Sequence, residues 1–188
     1  MIANALIFLV QTICDFFAGA LLLRFWMQWA RAPIRNPLSE FLQALTNFIV
    51  LPARRVIPGL WGHDLATLVL AWIVLVIETA LVLLIKDIPL QISVVGAIAA
   101  IAAVLMLRVA VYLVMFVIFM LAILSWVNPG HWMGSSLNAL ARPILRPLQR
   151  FIPPIGAFDL TPLIALIVCQ LILMLPLAFL EGLAGRLL

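Results

Sequence analysis

Three ionisable residues lie inside long apolar runs of this 188-residue chain: Asp15, Glu78 and Arg108. A charge at the centre of a bilayer costs about 2.5–3.5 kcal/mol or more, so such residues mark functional sites by default. Asp15, one turn from Gln11, is the best single candidate for an ion or proton site. The structural alternative, which the sequence favours, is a protonated carboxyl or one bonded to a neighbouring helix. Glu78 falls about two turns before the end of its run, and Arg108 opens the next span, so the two are placed to pair.

A second group sits between the apolar runs. Pro52-Ala53-Arg54-Arg55-Val56-Ile57-Pro58, followed by Asp64-Leu65, recurs as Pro147-Leu148-Gln149-Arg150-Phe151-Ile152-Pro153, followed by Asp159-Leu160. Six of the fourteen positions are identical, 95 residues apart, in the same order and at the same spacing. Arg55 with Asp64, and Arg150 with Asp159, are therefore candidates for a docking surface or a salt-bridged gate at the membrane edge. The plainer expectation is that Asp64 and Asp159 cap the spans they open. The arginines, with Arg54, Arg142 and Arg146, would then snorkel or bind anionic headgroups at about 1 kcal/mol each.

These residues need helices to position them. The chain is 67% hydrophobic and 10% charged, with a mean hydropathy of +1.29. A soluble domain carries roughly 45–50% apolar and about 25% charged residues, so this composition cannot cover a folded surface in water. It equally excludes a disordered chain, which needs low hydropathy and high net charge. The chain reads as all-α and polytopic. Its net charge of +4 is too small a surplus to indicate nucleic-acid binding; the positions of the basic residues set orientation instead.

Four stretches suffice for the ~20 residues of a span: 2–29, 65–85, 109–127 and 160–180. A fifth, 88–107, is rich in Gly and Ala, which allow close helix approach. Joined to the third span it would make 40 residues, or ~60 Å as one helix, so a bend, a break or an interfacial course is expected, with Arg108 as the place. The expected organisation is a first unit over 1–86, a re-entrant or interfacial linker over 87–107, and a second unit over 108–188. Each unit reads span, amphipathic connector, span.

In the first connector Asn36-Pro37 is a helix start, with Asn as cap and Pro at the first position. Leu38, Phe41, Leu42, Leu45, Phe48 and Ile49 then share one face, which suits a helix lying on the membrane surface. In the second, Ser135 or Ser136 can cap an apolar face of Leu137, Leu140, Ile144, Leu145 and Leu148. Pro143 and Pro147 should kink or split it. Seven of the eleven basic residues fall in these connectors, which places both on the cytoplasmic side and makes the repeats parallel. If 88–107 crosses instead, there are five spans and the repeats are inverted, as in many transporters.

Arg24, Gln28, Arg31 and Arg35 form a stripe running out of the first span, which membrane anchoring explains. Six tryptophans fall mostly near span ends, as an interfacial belt would place them. Cys14 and Cys169 read as packing residues. No His, Cys or carboxylate cluster has ligand spacing, and the common catalytic motifs are absent. No cofactor, metal or enzymatic activity is expected.

The repeated Pro-x-x-Arg-x-Ile-Pro before an Asp that opens a span resembles the YggT family, whose Gram-positive and plastid relatives are called YlmG. Residues 22–31, Leu-Leu-Arg-Phe-Trp-Met-Gln-Trp-Ala-Arg, look like the enterobacterial, double-unit form. The resemblance covers nearly the whole chain, most weakly across 86–107. It implies an inner-membrane protein without accepted catalytic residues. It also implies links to cell division and nucleoid distribution, to assembly of a photosynthetic cytochrome complex in plastids, and to osmotic tolerance or potassium uptake. Gln149 stands where the first unit has Arg54, so the arginine pair is not reproduced. The leading expectation is a scaffold or assembly factor. Its connectors would bind anionic lipid and a protein partner, with a homo-oligomer as an option. The alternative is a cation transporter or channel subunit resting on Asp15 and Glu78.

Overall fold

The computed structural model describes residues 1–33, 36–59, 64–89, 92–128, 130–151 and 160–186. Among them every regular element is helical. Helices α1 (Ile2–Trp29), α3 (Leu65–Ile85) and α4 (Ile92–Val127), together with a final rod spanning Thr161–Gly185, are long and apolar enough to cross a membrane. The rod consists of α6 (Thr161–Ile172), a π-helical turn over Leu173–Leu177, and α7 (Ala178–Gly185). Its wide turn holds Pro176, whose missing N–H and bulky ring an α-helical turn accommodates poorly. Two amphipathic helices, α2 (Pro37–Val56) and α5 (Met133–Phe151), connect the spans.

The clusters of buried side chains fix the relative directions. Ala18 packs with Leu75 and Ala102. Further along α1, Leu21 and Leu22 meet Leu70, Ala71 and Val109. Leu23 and Met27 then meet Val117 and Ile118. Residue numbers thus rise together along α1 and α4 and fall along α3. The last rod also opposes α4, because Ala165 lies by Val117 and Ile118 while Glu181 lies by Arg108. The two units are parallel. Both connectors lie at one end of the bundle, where Leu42 of α2 and Leu137, Leu140 and Leu145 of α5 share the largest core cluster.

Local chemistry explains the ends. Asn36 accepts from the Ser39 N–H at 2.7 Å, with Pro37 at the first helical position, so α2 starts where its sequence places it. Both α1 and α3 stop in the same hydrogen-bonded reversal. Ala32 N–H donates to Met27 C=O at 2.9 Å, and Ile88 N–H donates to Leu83 C=O at 3.0 Å. Arg31 and Asp87 take the left-handed conformation that this closure requires, with φ of 51° and 57°.

Two expected interruptions are absent. Helix α4 runs unbroken through Arg108 for 36 residues, about 54 Å. Residues 92–107 are therefore the first half of the third span's own helix, with no separate element between the units among the described residues. The compensating feature is Arg108, whose guanidinium finds a carboxylate at 3.2 Å in Glu181. Helix α5 likewise continues through Pro143 and Pro147. Both prolines lie exposed, off the face that buries Leu137, Leu140, Ala141 and Leu145, so their rings meet no core side chain. The helix also begins at Met133, upstream of both serines expected to cap it.

Candidate functional site

The connector end carries the repeated motif. Asp64 precedes α3 as expected, but its carboxylate makes no cap bond. Its backbone carbonyl instead accepts from the Thr67 hydroxyl at 2.7 Å, while Oδ2 accepts from Arg54 Nε at 3.0 Å. The expected pairing with Arg55 is thus corrected: Asp64 takes the preceding arginine, and Arg55 is exposed. In the second unit Arg142, Arg146 and Arg150 are all exposed along α5. Asp159 and Arg35 lie outside the described residues.

The two connectors are joined directly. Asn36 Nδ2 donates to Ser136 Oγ at 2.9 Å, with both residues buried. Sequence reading assigned Asn36 only its capping role, and its link to a residue 100 positions away carries no local signal. Arg24 is a further correction. Only 8% exposed, it donates to Thr46 Oγ1 at 2.6 Å and Asn47 Oδ1 at 2.9 Å. It leaves the expected surface stripe and ties α1 to α2. A cavity of about 730 Å³ beside it is lined by Arg24, Gln28, Arg31, Ser39, Arg54 and Asp64. With three arginines in its wall, this recess can accept an anionic group.

The second feature lies inside the spans. Asp15, Glu78 and Arg108 line one groove of about 810 Å³ between α1 and α4, which reaches Leu38 and Phe41 of α2. The structure therefore brings together the three residues picked out for their position in apolar runs. It does not pair them as expected, because the ion pair of Arg108 is with Glu181, a residue near the end of the last span that carries no signal in the sequence. Glu78 is 2% exposed, and its Oε2 has no hydrogen-bond partner among the described residues. Trp72 also departs from the interfacial belt: its indole N–H donates to Ala99 C=O at 3.2 Å, tying α3 to α4. Cys169 is buried and Cys14 half-buried, and both are free thiols.

The chain is similar to known proteins along most of its length. The family model described as CCB3/YggT matches residues 3–85 and 100–180. The uncharacterized protein YggT of Escherichia coli K12 is 32% identical over 170 residues, covering 90% of this chain and 87% of the relative. An uncharacterized protein of Pseudomonas aeruginosa is 35% identical over 187 residues, covering 97% and 93%. One of Vibrio alginolyticus is 32% identical over 168 residues, covering 89% and 90%. No solved structure matches the chain.

Proposed function

The chain belongs to the CCB3/YggT family, and from that premise we propose that it is a non-enzymatic scaffold or assembly factor of the bacterial inner membrane. Its two connectors act as one cytoplasmic platform that binds anionic headgroups and a protein partner. Cell division and the envelope's response to osmotic stress are the settings proposed for such a platform.

One observation carries this reading. Of the adjacent arginines in the first motif, Arg54 is tied to Asp64 and is the one not repeated, since Gln149 replaces it. Arg55 is repeated as Arg150, and both are exposed. An arginine retained for local structure would be the paired one. Arg54 is exposed as well, so the difference lies in the pairing. Retention of the arginine that makes no ion pair with Asp64 fits an outward task, and Arg142 and Arg146 extend the same basic surface. The test is charge reversal, Arg55→Glu with Arg150→Glu, combined with photo-crosslinkers at Ala44 and Asn138. Loss of crosslinked partners and of co-purifying anionic lipid, with the fold intact, is the expected result. Unchanged crosslinks and lipid would count decisively against the platform.

A second reading, a cation transporter or channel subunit, is favoured by the shared groove of Asp15, Glu78 and Arg108. Purified protein in liposomes would then carry a cation flux that Asp15→Asn abolishes. Absence of flux across monovalent cations and protons retires it.

A further inference from the structure

The internal repeat gives each contact of the first unit an expected counterpart in the second. Helix α3 packs against α1 of its own unit and also against α4 of the other. Helix α6 packs against α4 of its own unit but does not reach α1. Among the described residues the missing contact leaves one side of α1 without a spanning neighbour, and the groove between α1 and α4 lies along it. On α1 the wall runs from Phe8 through Asp15 to Leu23, a rise of about 22 Å. On α4 it runs from Leu105 through Arg108 to Phe116. These two helical faces, the second about 16 Å long, with Gly19 and Ala20 at the floor, form a trough shaped for another helix.

Charge identifies the occupant. Arg108 lines the same groove and attracts Asp15, but its ion pair is with Glu181, and Arg24 is engaged with Thr46 and Asn47. Neither Asp15 nor Glu78 forms an ion pair among the described residues, and the Oε2 atom of Glu78 is buried without a hydrogen-bond partner. A buried polar atom left unpaired costs roughly 1–3 kcal/mol. A second copy of this chain has no uncommitted cation at mid-span with which to supply the partner. An inorganic cation needs a compact set of oxygen ligands, whereas this trough is long, mostly apolar and walled by Phe8, Phe16 and Phe116. We infer that the α1–α4 groove receives a transmembrane helix of another protein that carries a lysine or arginine near its middle, facing Asp15 and Glu78. This inference is independent of the connector platform.

The probe is a synthetic 24-residue polyleucine helix with a central lysine, compared with its all-leucine counterpart. Each is dye-labelled and mixed with labelled full-length protein in phosphatidylcholine vesicles. Energy transfer should show at least tenfold tighter association of the lysine helix. The isosteric double variant Asp15→Asn, Glu78→Gln should reduce it to the all-leucine level. Thr12→Trp, which fills the groove at an exposed position and spares both carboxylates, should weaken both helices. Reversal of Arg55 and Arg150 should leave association unchanged, which separates this site from the platform. Equal association of the two helices, or lysine preference surviving in the double variant, overturns the inference. So does self-association of the protein that the double variant abolishes without any preference for lysine, because a second copy would then fill the trough.

Discussion

Arg24 and Arg54 show how neighbouring arginines at one membrane edge do different amounts of structural work. Arg24 is buried and holds two side chains of α2, so Arg24→Ala removes charge-assisted bonds and leaves a gap. A loss of about 3 kcal/mol is expected in reversible unfolding in mixed micelles. Arg54 is 39% exposed, and its bond to Asp64 competes with water. Arg54→Gln should cost less than about 1 kcal/mol by the same measurement. A larger loss from Arg54 than from Arg24 would contradict the assignment. The motif was visible in the sequence, but the choice between Arg54 and Arg55 was not. Adjacent helical residues point about 100° apart, and the repeat cannot say which of them reaches Asp64. Asp15, Glu78 and Arg108 were legible because apolar surroundings make any charge conspicuous. Glu181 escaped notice because it lies near the end of the last span, where a charge is ordinary.

The elements were legible in proportion to how local their causes are. The bounds of α1 and α3 follow from hydropathy, and the start of α2 follows from Asn36-Pro37. The continuity of α4 was not, since the carboxylate that meets Arg108 lies 73 positions away at Glu181. Glu181→Gln should therefore destabilise the protein by roughly 2 kcal/mol, as an intramembrane arginine loses its counter-charge. Exchanging the pair, Arg108→Glu with Glu181→Arg, should restore most of that loss. Failure of the exchange would show that the ion pair does not hold α4 to the last rod. The bond between connectors makes a similar test. Ser136→Ala removes one of two bonds made by Asn36 Nδ2, which also reaches Pro33 C=O, and should cost about 1 kcal/mol. Asn36→Ala also removes the α2 cap and should cost about 2 kcal/mol. The double variant should cost less than the sum, because both changes delete one shared bond. Strict additivity would mean that the connectors are not energetically joined.

At the scale of the whole molecule, the repeat is the property from which the rest follows. Parallel units bring both connectors to one end, gather the exposed Arg55, Arg142, Arg146 and Arg150 there, and leave the α1–α4 trough along the span region. The sequence indicated this arrangement through the distribution of its basic residues, while an inverted, five-span layout fitted the apolar segment at 88–107 equally in length. The folding of that segment into α4 is what joins it to the third span. The most direct test uses Glu40→Cys on α2 and Asn138→Cys on α5, each alone in a background lacking Cys14 and Cys169. Both positions are exposed, and each variant is treated with a membrane-impermeant maleimide in spheroplasts and in inverted vesicles. Both cysteines should react in inverted vesicles and stay protected in spheroplasts, whereas labelling of the two from opposite sides would contradict the parallel architecture and the platform built on it.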